Sequence, residues 1–196
     1  MSFLPEEIAL LSNPRFFEQK SRATEKLKGL MEKIRAAYLS VINPDELHAP
    51  PETDFQKGQI AKGENYEGYP YVMLDFPKRF SRESVFTFRS LFWFGHCLIF
   101  SVMLAGEPLP HWRKNFEREY DALCDFELRF GIDDAWDWRE RASIPISPEN
   151  KARILEREQP FLKLMKRLPP SVLADEQRAI EEARRFYQSV KPVLRK

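Results

Sequence analysis

Near the start of the chain, apolar residues recur at three- and four-residue steps. Leu27, Leu30, Met31, Ile34, Tyr38 and Val41 fall on one helical face, while Lys and Glu fill the other. The stripe predicts a long helix from Pro14 to Ile42. Asn13 is placed to cap it, and Pro14 suits the first helical position, where its missing N–H goes unused. Asn43-Pro44 ends it. A shorter helix, Pro5–Leu11, precedes it. Residues 43–68 then read as loop, rich in Pro, Asp and Gly, with room for a short strand at Gln59–Lys62.

The pattern changes at Tyr66. Eleven aromatic residues fall between Tyr66 and Phe100, and β-branched residues are interspersed among them. Three antiparallel strands follow: Tyr69–Phe76, Ser84–Phe94 and Cys97–Ala105. A two-residue turn at Gly95-His96 would set Phe94 opposite Cys97, Phe92 opposite Ile99 and Phe88 opposite Met103. Trp93, Leu91, Leu98, Phe100 and Val102 would share the other face. Both faces are apolar, so both call for cover. One buried helix over 84–105 is the alternative, because periodicity alone does not separate the two for an apolar run. Beyond the strands, helical patterns cover His111–Phe130, Pro148–Leu168 with a kink at Pro160, and Ala174–Val190. A short strand near Trp136–Trp138 is the other option for the segment between the first two. The expectation is a single α+β domain over 1–196. A small antiparallel sheet of three to four strands, about residues 69–105, is covered by the long N-terminal helix and about three C-terminal helices.

Composition narrows the functional classes. The 31 Lys and Arg nearly balance the 30 Asp and Glu. The balance conceals a gradient: residues 151–196 carry twelve basic and six acidic groups, and residues 111–150 carry six and ten. Each basic stretch contains its own Glu residues, so the terminal cations, notably Arg184, Arg185, Lys191, Arg195 and Lys196, are read mainly as packing near acidic central elements. A nucleic-acid partner is disfavoured. The apolar run Leu91–Ala105 is too short to span a bilayer. No secretory pattern opens the sequence, and two cysteines, Cys97 and Cys124, do not make a disulfide framework. A cytoplasmic setting is expected.

Each candidate chemistry has a plainer competitor. Gly58 to Gly63 has phosphate-loop spacing, but Glu64-Asn65 follows where Lys and Ser or Thr are required. His48, His96 and His111 show no ligand spacing, so neither metal nor cofactor is expected. Cys97 reads as a buried thiol. Asp133, Asp134, Asp137 and Glu140 read as a solvated acidic edge rather than a cation site. Arg89 is more informative, because it interrupts an apolar strand. It must pair internally, with Asp75 on the neighbouring strand as the natural partner, or meet an anionic ligand. Tyr66, Tyr69, Tyr71, Trp93 and His96 could line an aromatic cleft with it beside the 58–71 segment. The leading functional reading is a non-catalytic interaction or accessory module, with a protein partner or a second copy of the chain. The alternative is a small-ligand-binding protein or enzyme using those six residues.

Overall fold

The computed structural model describes residues 2–196. Helices α1 (Pro5–Leu11) and α2 (Pro14–Val41) lead into a meander of strands: β1 (Gln59–Tyr66), β2 (Tyr69–Phe80), β3 (Ser84–Trp93) and β4 (Cys97–Gly106). Helix α3 (Leu109–Leu123), strands β5 (Arg129–Gly131) and β6 (Ser143–Pro145), helix α4 (Lys151–Leu155), strand β7 (Phe161–Leu168) and helix α5 (Glu176–Leu194) complete the chain. One antiparallel sheet holds all seven strands in the order β1-β2-β3-β4-β7-β5-β6. Among the described residues no helix is long and apolar enough to cross a membrane.

The α+β class and the long N-terminal helix stand, but the sheet is larger than three to four strands over 69–105. The expected helix over Pro148–Leu168 is replaced by the short α4 and by β7. The helix expected to reach Phe130 stops at Leu123, because Phe130 belongs to β5. Trp136–Trp138 forms a loop rather than a strand. The run 84–105 is two strands, not one helix.

The β3–β4 turn has three residues, Phe94 to His96, with Gly95 at φ 75° and the His96 amide donating to the Trp93 carbonyl. Trp93 therefore faces Cys97, Phe92 faces Leu98 and Phe88 faces Val102. The expected register was one residue off, and a one-residue slip exchanges the faces of a strand. On one face Phe86, Phe88 and Phe92 join Leu98, Phe100, Val102 and Leu104 beneath α2, α3 and α5. On the other, Leu91, Cys97, Ile99 and Met103 meet Met165 and Trp138 in a smaller cluster. That second face is covered by the irregular segment 132–142 and carries the candidate site.

Candidate functional site

Asp75, Arg89 and Ser101 stand in one row across β2, β3 and β4 on the second face. Arg89 donates from Nε to Asp75 Oδ1 and from Nη2 to Oδ2, both at 2.7 Å. Asp75 is buried, and this two-pronged geometry is the one that best compensates a desolvated carboxylate. Among the described residues the remaining nitrogen, Nη1, donates to no protein group. The guanidinium carbon lies 5.0 Å from the Trp136 ring centre and 5.5 Å from that of Trp138, within cation–π range.

Arg89 forms part of the wall of a pocket of about 280 Å³, lined also by Tyr66, Tyr71, Met73, Leu91, Trp136 and Trp138. The segment that supplies its tryptophan wall is pinned from beneath. Lys163 on β7 is fully buried and donates to the carbonyls of Asp134, Ala135 and Asp137 at 2.7–3.1 Å. Burial pushes its ammonium down to about 8, and the Asp137 and Asp134 charges oppose that fall. Gly131 makes room for the lysine stem, since a Cβ there would lie 2.1 Å from Lys163 Cε. From the side, the Trp138 amide donates to the Tyr66 hydroxyl at 2.8 Å, and Arg167 donates to the Trp138 carbonyl. Burial pushes the Tyr66 phenol up, so the ring is held as a neutral hydroxyl. Trp136 remains 40% exposed at the rim, its ring centre 5.7 Å from that of Phe80.

The six residues singled out from sequence are brought near one another, five at the end of the sheet by the β3–β4 turn and Arg89 in mid-strand, but not into one wall. Tyr66, Tyr71 and Arg89 line the pocket. Trp93, Tyr69 and His96 build an adjoining aromatic stack at the β3–β4 turn. Trp93 and His96 stack at 3.7 Å, Tyr69 meets His96 edge-on at 4.6 Å, and Tyr66 meets Trp93 at 4.9 Å. Sequence reasoning missed Met73, Leu91, Trp136 and Trp138. The available signal was two tryptophans two residues apart in a segment otherwise poor in apolar side chains.

The other candidates resolve into local pairs. Asp137 is held by Arg139, Asp133 by Arg157 at 3.4 Å, Glu140 by Arg129 at 3.9 Å and Glu64 by Lys20 at 2.6 Å. Among the described residues no three His, Cys, Asp or Glu side chains converge as metal ligands would. Gly58–Gly63 begins a strand instead of cradling an anion. Burial pushes the Cys97 thiol up. At the basic end, Arg184 and Arg185 pair with Glu181 or Glu182, and Lys191 pairs with Glu46.

Comparison with protein-family models, with curated proteins and with solved structures gives no match.

Proposed function

We propose that this protein is a non-catalytic recognition module whose pocket takes one flat group with an acceptor at its edge, such as the ring of an aromatic acid or of a nucleobase. One observation carries the reading: a guanidinium fixed by Asp75 and flanked by two tryptophans lines an open pocket with Nη1 uncommitted. Arg89 is immobilised before any ligand arrives, so binding costs little ordering of that side chain. The aromatic walls favour a planar guest through stacking, and Nη1 favours a carbonyl or carboxylate edge. The volume lies at the small end of ligand pockets, which fits a single ring system. Tyr66, held neutral and hydrogen-bonded, is suited to shaping the wall rather than to moving protons.

Ligand-detected NMR with benzoate, indole-3-acetate and the free nucleobases tests the proposal. At least one of these probes is expected to bind and to quench tryptophan fluorescence. Trp136→Ala removes one wall at a half-exposed position and is expected to weaken binding by about fivefold, from a stacking contribution of about 1 kcal/mol, while the fold is retained. Absence of binding across the panel, or binding indifferent to Trp136→Ala, would count against the pocket.

A further inference from the structure

Toward the N-terminus the described residues form an exposed helical arm. Every described residue from 2 to 19 is exposed. Phe3, Leu4, Ile8, Leu10, Leu11, Phe16 and Phe17 all lie among the exposed large apolar side chains. The arm is nonetheless well formed. Glu7 Oε2 accepts from the Leu4 amide at 2.7 Å to open α1, and Asn13 Oδ1 accepts from the Phe16 amide at 3.1 Å to open α2. Isolated apolar residues on a surface are ordinary, but a run this long on a preformed arm marks an interaction surface.

The same chain carries a matching groove. Between α2 and the β3–β4 turn lies an open, mainly apolar cavity of about 840 Å³. Leu27, Leu30, Phe92, Phe94 and Leu173 contribute its apolar surface. Gly29 lies along it in mid-helix, where glycine is costly, and a Cβ there would meet nothing within 4 Å. The groove follows α2 from Ala23 to Lys33, about 15 Å at the helical rise, and α1 is about 10 Å long. Charge is complementary as well. Glu6 and Glu7 are the only charged residues between positions 2 and 14, while the groove is edged by two cations, Lys26 and Lys33, against one carboxylate, Glu176. Lys33 also pairs with Glu176 at 2.5 Å, leaving Lys26 as the cation without an ion-pair partner among the described residues.

We propose that two copies of this chain associate by exchanging arms, each laying α1 into the α2 groove of the other. An amphipathic helix in an apolar groove is a recurrent mode of recognition. Because each chain carries both an arm and a groove, reciprocal exchange closes about a twofold and leaves no open ends. The association is independent of the aromatic pocket on the opposite face of the sheet.

Sedimentation velocity over a concentration series tests it, with two variants that leave the body intact. Ile8→Glu with Leu11→Glu charges the arm at exposed positions. Gly29→Leu fills the groove, where the space is open and leucine is the better helix former. The wild type is expected to dimerise, and each variant to weaken dimerisation by about tenfold or more while circular dichroism shows the fold retained. An equimolar mixture of the two variants is expected to recover heterodimers, because it joins an intact arm to an intact groove. A Leu10→Cys, Gly29→Cys pair is expected to cross-link between chains. A wild type that stays monomeric, a dimer indifferent to both variants, or a cross-link formed within one chain would overturn the proposal.

Discussion

Arg89 sits in the middle of a largely buried strand, between Phe88 and Ser90, where an unpaired guanidinium would cost several kcal/mol. Asp75 answers that charge with two hydrogen bonds and is itself almost fully buried. Breaking the pair from one side is therefore worse than removing both halves. Arg89→Leu is expected to cost about 3–5 kcal/mol in urea denaturation, because it strands a buried carboxylate. Asp75→Leu combined with Arg89→Leu is expected to cost clearly less than Arg89→Leu alone, and equal losses would show that the pair is not the cause. The pair was legible in the sequence: a lone charge in an apolar run demands a partner, and alignment of the two strands supplied one. Trp136 and Trp138 were not legible. Their approach to Arg89 depends on the path of an irregular segment, and that path is fixed by a lysine elsewhere in the chain.

That lysine lies on the element the sequence concealed best. After Phe161, the strand to Leu168 is composed of Leu, Lys, Met and Arg, all good helix formers, and it follows a strong helix start at Ser147-Pro148-Glu149. Its period-two pattern sends Leu162 and Leu164 into the main core, and Lys163 and Met165 to the other face. Pairing along the whole of β4 outweighs local propensity, because an unpaired β4 edge would leave buried backbone groups without partners. The outcome rests on a strand more than fifty residues away, which local periodicity does not contain. The element also ties the fold to the site. Lys163→Met keeps the stem but removes three donors, and is expected to destabilise the protein by about 1–3 kcal/mol through stranded carbonyls. Hydrogen exchange should show the change concentrated in residues 132–139. An even loss of protection across the sheet would mean that Lys163 supports the core and not the Trp136–Trp138 segment.

At the scale of the whole molecule, the last residues bind distant parts of the chain together. The His48 amide donates to the Leu194 carbonyl at 2.7 Å, the Lys196 amide to the Glu46 carbonyl at 3.3 Å, and Asn115 Nδ2 to the Val193 and Arg195 carbonyls. His111 Nε2 lies 2.7 Å from the Arg195 carbonyl, which makes it the donor there. Trp112 Nε1 donates to the His48 carbonyl at 3.0 Å. The rings of His48 and His111 stand 4.2 Å apart between these contacts. Burial, reinforced by His111 and by Lys196, pushes the His48 imidazole below its ordinary 6.5, although Glu107 pulls the other way. A histidine depressed in the folded state binds its proton more readily when the chain unfolds. Its contribution to stability is thus complete above about 6.5 and declines as the pH falls through the lowered value. Urea midpoints are expected to drop between pH 7.5 and 5.5, before most carboxylates titrate. His48→Gln keeps a polar side chain with no proton to gain, and is expected to flatten that drop. An unchanged slope in His48→Gln would place the acid sensitivity elsewhere. Release of the 194–196 amides at the lower pH, followed by NMR, would place it at this junction of the N-terminal third with α3 and α5.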